Sequence, residues 1–422
     1  MPNPVARTLV VWNNHTRIGE LREFNNLWQF EYDAQWSDFD LCPQLPRDTV
    51  LIVDGASTRP VQWFFDNLLP EEGARELLAR GAKIDKADAF GLLETFGAES
   101  AGALTLLPPN EEPGTGLTRL MPYEELSERI RNLPKAALSA GTKKKMSLAG
   151  AQHKIPIVFD GGTLYAPDES YPSTHILKPD HPESNNFQHS VVNEWFVMSL
   201  AGQLGLVVPE VTMLNVPEPV YLIERFDRIA ESGTIRRIHA IDACQVLSLD
   251  KAYKYQECNT ENLNRLIGLS RYRGETRQRL LQWFLFNILV GNSDDHLKNL
   301  SFIPAGSQLI LTPHYDLLST AVYAPDNGWG AVTIEWPIGN AKIYSQITLN
   351  DIHLLAATLK LPKRYADSIV QRFCSQIFKC ADRLIETHQS SDSPGLAKAG
   401  QLRLLRSIRF GVINDMVDQL TQ

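Results

Sequence analysis

Gly291-Asn292-Ser293-Asp294-Asp295-His296-Leu297-Lys298-Asn299, followed by Tyr315-Asp316-Leu317, decides how the rest of the chain is read. An aspartate stands five residues ahead of an asparagine, and a second aspartate follows 17 residues after that asparagine. Phosphoryl transfer from ATP needs a carboxylate to orient a hydroxyl, and an amide oxygen and a further carboxylate to hold Mg²⁺. On this reading Asp294 is the base, and Asn299 and Asp316 are the metal ligands. One short loop then aims both Asp294 and Asn299 into a single cleft. Asp316 follows an apolar strand, which suits Mg²⁺, an ion that takes one or two carboxylates plus phosphate oxygens and water. A polar turn after a helix end would use the same residue types.

His296 completes the pattern D-x-H-x-x-N, which resembles the catalytic loop of lipid kinases more than the H-R-D of most protein kinases. His296 therefore either shares the base role or braces the loop. Lys298 is placed to neutralise charge on the transferring phosphoryl group. Asp295 stands at the wrong offset and is expected to be solvated or structural.

Working outward, the other parts of an ATP site occur in order. Lys178 ends the apolar stretch Thr174-His175-Ile176-Leu177-Lys178 and is placed to grip the α- and β-phosphates. A strand-end lysine that merely snorkels would look the same. Glu194, sixteen residues on, lies on the next expected helix and is a candidate partner. Ser147-Leu148-Ala149-Gly150-Ala151-Gln152-His153-Lys154 precedes a strand, and its small residues let backbone N–H groups approach phosphates. Glu224, Arg225 and Phe226 follow an apolar strand where a hinge between two lobes would meet adenine.

The chain has 422 residues, 43% hydrophobic and 21% charged, enough for two or three domains of soluble globular composition. A net charge of −8 excludes a nucleic-acid-binding polycation. Lys143-Lys144-Lys145 and the arginines from Arg271 to Arg279 read as solvated faces. Five cysteines, an odd number with no CxxC pair, argue against a disulfide framework or zinc knuckle and fit a reducing cytoplasm. No signal peptide is read at the start, and no apolar run approaches the ~20 residues of a membrane span. The longest, Trp283 to Val290, contains Asn287 and reads as a buried helix.

The pattern predicts strands at 7–12 and within 17–33, broken at Gly19 and at Asn25-Asn26, then helical structure from Val61 onward, continuing through 88–107. Pro108 to Gly114 reads as a linker. A short helix is expected from Tyr123 to Leu133. A second β-rich block follows, with strands at 155–159, 174–178, 211–215 and 220–224 around a helix from Ser190 to Leu204. Beyond Thr260 helices dominate, apart from strand-like pieces at 300–303, 309–311 and 331–336. Helices are expected at 349–360, 363–386 and 397–420. The expected architecture is α+β: a bilobal protein-kinase-like fold with an N-terminal subdomain (1–107), a β-rich N-lobe carrying the Ser147 loop and hinge (108–258), and a helical C-lobe (259–422).

Taken together, these motifs resemble the HipA family of bacterial toxin serine/threonine kinases of type II toxin–antitoxin systems. The matching pieces are Ser147 to Lys154, His175 to Lys178, Glu224 to Arg228, Asp242-Ala243-Cys244-Gln245, Asp294 to Asn299 and Thr312 to Asp316, with Phe64 to Pro70 resembling the N-terminal domain. The resemblance implies Asp294 as base, Mg²⁺ on Asn299 and Asp316, and ATP phosphates on Lys178. It implies adenine lined by Glu224, Arg225 and Phe226, and nucleotide contacts from Ser147, Ala149, Gly150, Ala151, Gln152 and Lys154. It also implies autophosphorylation at Ser147, whose added charge of about −1.5 to −2 would repel nucleotide.

The implied substrate is a protein, notably an aminoacyl-tRNA synthetase. The implied partner is a HipB-like helix-turn-helix antitoxin that neutralises the kinase and carries it to operator DNA. The implied location is the bacterial cytoplasm, at the nucleoid when bound to antitoxin and DNA. The sequence departs from the family pattern at Asp295, where a glycine is expected. The alternatives are a catalytically silent corepressor on the same fold and a small-molecule or lipid kinase. The lack of a basic amphipathic membrane helix weighs against lipid substrates.

Overall fold

The computed structural model describes residues 6–133, 135–138, 149–150, 152–168, 171–183, 185–231, 234–324, 328–391 and 395–422. Ser147, Ala151 and the lysines 143–145 lie outside these residues.

The chain opens with a five-stranded sheet in the order Leu51–Val53, Leu27–Tyr32, Thr16–Phe24, Arg7–Asn13, Leu104–Leu107. Asn25 and Asn26 both have positive φ (52° and 60°) and close the hairpin between the second and third strands in chain order. This is the left-handed pair that the twist of a tight hairpin favours. Gly19 does not break its strand as expected. It pairs with Tyr32, and a Cβ there would lie 2.2 Å from the Glu31 carbonyl oxygen, so the glycine allows close strand approach. The helices Pro60–Asp66, Glu72–Ala82 and Ala89–Phe96 follow. The first is capped by Asp54, which accepts from the Val61 and Gln62 N–H groups. The expected continuation of helix through 107 is corrected: Leu104–Leu107 is a strand antiparallel to Arg7–Asn13. Its run of four apolar and β-branched residues buries both faces and carries no helical period.

A six-stranded sheet comes next, ordered Val211–Asn215, Pro219–Glu224, His175–Pro179, Ile155–Asp160, Thr163–Pro167, Thr118–Leu120. The sequence reading missed the last two strands, which are short and half polar. The helix Ser190–Gln203 is buried along most of its length, consistent with its lack of a polar face. The helical lobe is built on Arg273–Val290, whose last eight residues are all buried, and on Lys363–Ser390, with Gly395–Ser407 and Asn414–Thr421 packed alongside. The strand expected at 331–336 is corrected to a 3₁₀ turn at Trp329–Ala331, an irregular run, and a single bridge from Thr333 to Ile343. All five cysteines are free thiols. Among the described residues no helix is long and apolar enough to cross a membrane.

The N-terminal segment is keyed to the central sheet by buried charge. Glu99, fully buried, accepts from Arg225 at 3.1 Å, Arg228 at 2.9 Å, Arg237 at 2.7 Å and Ser173 at 2.9 Å. Asp227 accepts from Arg225 at 2.7 Å and from the Gly102 N–H at 2.7 Å. Replacing Glu99 by glutamine leaves three guanidinium groups short of a counter-charge in the interior. We expect a loss of roughly 3–5 kcal/mol of folding stability, measured by urea denaturation.

Candidate active site

The helix Arg273–Val290 ends on Gly291 in the left-handed conformation (φ 64°), whose N–H returns to Asn287 and Ile288 carbonyls. A Cβ at Gly291 would meet Ala321 and Val412 carbons at 2.7 Å. The residue therefore launches the next segment at a fixed angle. Asn292 accepts from the Asp294 N–H at 3.1 Å, and the 3₁₀ turn Leu297–Asn299 brings the Asn299 side chain back, where it donates to the Asp294 carbonyl at 2.6 Å. That bond uses the amide nitrogen of Asn299, leaving the amide oxygen as the atom suited to a cation.

The Asp294 carboxylate is 40% exposed and accepts from the Tyr255 hydroxyl at 2.5 Å. His296 Nε2 lies 3.9 Å from the same carboxylate. The imidazole is buried, and burial lowers its pKa, so it is neutral at pH 7. Asp295 is not solvated: it is 95% buried because its exposure is 5%. Burial, with Glu335 and Asp294 nearby, pushes its carboxyl well up. Its carbonyl accepts from the Trp336 indole, and no described contact takes it to Asp316 or Lys178.

Across the cleft, Lys178 Nζ lies 2.7 Å from Glu194 Oε1 and 2.5 Å from Asp316 Oδ1. Burial opposes its charge, but the two carboxylates outweigh burial and raise its pKa. Asp316 is likewise disfavoured by burial and held well below the usual carboxylate range by Lys178 and Lys154. It occupies a left-handed backbone conformation (φ 58°), a region an aspartate tolerates better than most residues. Beside it, the Tyr315 hydroxyl donates to the Lys298 carbonyl at 2.8 Å, and the Tyr315 ring stacks on Phe226 with centroids 5.6 Å apart.

Asp294, Asn299, Asp316, Lys178, Lys154 and Phe226 line one cavity of about 690 Å³, a volume within the range of small-ligand sites. Ala149, Gly150, Gln152, Glu224, Arg225, His296 and Lys298 also face it. Three of these are tied elsewhere. The Arg225 guanidinium is committed to Glu99, Asp227 and the Ser100 carbonyl. Lys298 Nζ is buried, 2.9 Å from Asp242 and 2.8 Å from the Asn67 amide oxygen. Lys154 donates to the Ala149 carbonyl at 2.8 Å.

Tyr255, Glu335, Glu71 and Asn67 also border the cavity, and sequence reasoning did not select them. Tyr255 and Glu335 come from loops away from any motif, and Asn67 and Glu71 come from the N-terminal segment. The only local signal was Asn67 within the Phe64 to Pro70 stretch.

Burial and the charge of Lys178 lower the Lys154 ammonium to about 8. The protonated form is the one that attracts a triphosphate. Nucleotide affinity is therefore expected to be flat below pH 8 and to fall above it, with a slope approaching one decade per unit. Lys154→Met should bind more weakly and lose that slope; isothermal titration across pH 6.5–9.5 checks both.

The family model described as HipA-like C-terminal domain matches residues 146–381. The chain belongs to the HipA family. The model of the HipA N-terminal domain matches residues 9–107. Among curated relatives, the serine/threonine-protein kinase toxin HipA of Shewanella oneidensis is 31% identical over 310 residues, covering 69% of each chain. The protein Y4mE of Sinorhizobium fredii is 34% identical over 336 residues, covering 76% of this chain and 79% of that one. A solved complex of Shewanella oneidensis HipA, HipB and operator DNA superposes with a TM-score of 0.77 at 25% identity, over 97% of this chain and 99% of that one. The α+β, bilobal kinase-like architecture of this HipA-family chain accords with that match.

Among the described residues no group of three or more His, Cys, Asp or Glu side chains is arranged to hold a metal. Asn299 and Asp316 nevertheless offer the hard oxygen donors that suit Mg²⁺, an ion that completes its shell with phosphates and water.

Proposed function

We propose that the chain is an ATP-dependent serine/threonine-protein kinase of toxin type. The observation that carries this reading is the convergence of Asp294, Asn299, Asp316 and Lys178 on one cavity. Asp294, exposed and hydrogen-bonded by Tyr255, is the better base. It accepts the proton of the substrate hydroxyl as that oxygen attacks the γ-phosphorus, and the bond from the γ-phosphorus to the β,γ-bridging oxygen breaks. His296, buried and neutral, braces the loop beside it. Asn299 and Asp316 would hold Mg²⁺, which would supply neutralisation of phosphate charge. Lys178, fixed by Glu194, takes the α- and β-phosphates, with Lys154, Gly150 and Gln152 around the tail. Glu224, Arg225 and Phe226 present backbone and one aromatic face to adenine.

By family likeness, the acceptor is a serine on a protein, with an aminoacyl-tRNA synthetase as the expected class. Ser147 is the expected self-modification site. The relative's complex with HipB and operator DNA supports a similar antitoxin here. A chain of net charge −8 would depend on that partner for most of the basic surface that meets DNA. Brief expression without antitoxin, followed by phosphoproteomics, tests this reading. The expected result is a phosphoserine on a translation enzyme and another at Ser147. Labelling of small molecules alone would favour the metabolite-kinase alternative.

A further inference from the structure

The nucleotide cleft is bordered by residues of the N-terminal subdomain as well as the two lobes. Pro70 pairs with Gly150 in a parallel bridge, and the Glu71 N–H donates to the Gly150 carbonyl at 3.1 Å. The Glu71 carboxylate, 94% buried because its exposure is 6%, lies 2.7 Å from Lys254 Nζ and 3.6 Å from Lys298 Nζ. Lys254 immediately precedes Tyr255, whose hydroxyl binds Asp294, and the Lys254 carbonyl accepts from the Leu297 N–H at 3.2 Å. Lys298 sits inside the Asp294–Asn299 loop. Asn67, from the same subdomain, takes Lys298 through both its side-chain oxygen at 2.8 Å and its carbonyl at 3.1 Å. Glu71 thus touches the glycine of the segment proposed to face phosphate through its backbone N–H, and both lysines that frame the base loop through its carboxylate.

We propose that Glu71 is a positioning residue for phosphoryl transfer, joining the N-terminal subdomain to the loop that carries Asp294. The inference rests on the kinase reading above. Burial of Glu71 raises its carboxyl pKa, but Lys298 and Lys254 outweigh this and hold it down to about 2, so it is ionised throughout the working range. Its charge offsets two ammonium groups near the base.

Removing the Glu71 charge leaves Lys254 and Lys298 less compensated. The rate per nucleotide-binding site should fall by about 10–100-fold in Glu71→Gln, as when a group that orients a ligand residue is removed. The backbone bond from Glu71 to Gly150 is kept, so nucleotide affinity should hold within a factor of a few. Glu71→Asp, which keeps the charge, should recover part of the lost rate.

The experiment measures steady-state phosphate transfer on the full chain, normalised to sites counted by nucleotide titration. Glu76→Gln, at the exposed Lys86 pair on the helix that follows Glu71, serves as the control and should match wild type. A Glu71→Gln variant that binds nucleotide and turns over at the wild-type rate per site overturns the proposal, as does a Glu71→Asp variant no faster than Glu71→Gln. If Glu71→Gln does not fold, wild-type turnover per site in Lys254→Met overturns it equally. A wild-type chain that transfers no phosphate defeats the kinase reading itself, which is a different outcome.

Discussion

Asp294→Asn is expected to lower the rate of phosphate transfer by about 10²–10⁴-fold while leaving nucleotide affinity within a factor of a few. The substitution keeps the side-chain shape and removes the proton-accepting charge. Asp294 receives the Tyr255 hydroxyl on one oxygen, and its backbone is held by Asn292 and Asn299, so the loop geometry should survive. Lys178, Lys154 and Asp316, the proposed phosphate side of the cavity, are not bonded to Asp294 through any described contact. Single-turnover transfer from labelled ATP, beside a nucleotide titration, separates the two effects. Equal labelling by wild type and variant would assign the base elsewhere, or the chain to a corepressor role.

Asp316→Asn is expected to cost a comparable amount, about 10³-fold, because it alters both the proposed metal site and the partner of Lys178. Asparagine tolerates the left-handed backbone at this position, so folding should be kept. The loss falls on charge. Without nucleotide, Asp316 lies 2.5 Å from the Lys178 ammonium, and each stabilises the ionised form of the other. The neutral amide gives up that pairing and is a weaker ligand for Mg²⁺ than a carboxylate. Nucleotide affinity measured with and without Mg²⁺ should then be nearly equal in the variant, whereas wild type should bind more tightly with the ion. A variant that retains metal-dependent affinity would place the cation on other groups.

The cavity was legible in the sequence where chemistry follows chain order. The offset of Asp294 from Asn299 translates into a real hydrogen bond, and an apolar strand delivers Lys178 to the face of the sheet that meets Glu194. What stayed hidden depends on distant chain segments. Nothing local in Glu99 says that three arginines beyond residue 220 will close on it, nor in Glu71 that it will reach Lys254 and Lys298. Asp295 stays open for a related reason. A charged residue in a polar turn reads as solvated or structural, and distant Trp336, whose indole donates to the Asp295 carbonyl, marks the buried, structural alternative. Short elements failed because a strand such as Leu104–Leu107 offers too few residues for periodicity to separate strand from buried helix.

The arginine cage around Glu99 bears on how this protein can be divided. A fragment trimmed to begin after residue 107 would keep every motif of the phosphate site, yet it would expose Arg225, Arg228 and Arg237 with their shared anion gone. Arg225 and Arg228 lie in or next to the segment proposed to meet adenine. Expression of a minimal catalytic fragment should therefore yield aggregated material unless the first hundred residues are supplied, either in the same polypeptide or as a separately made complement.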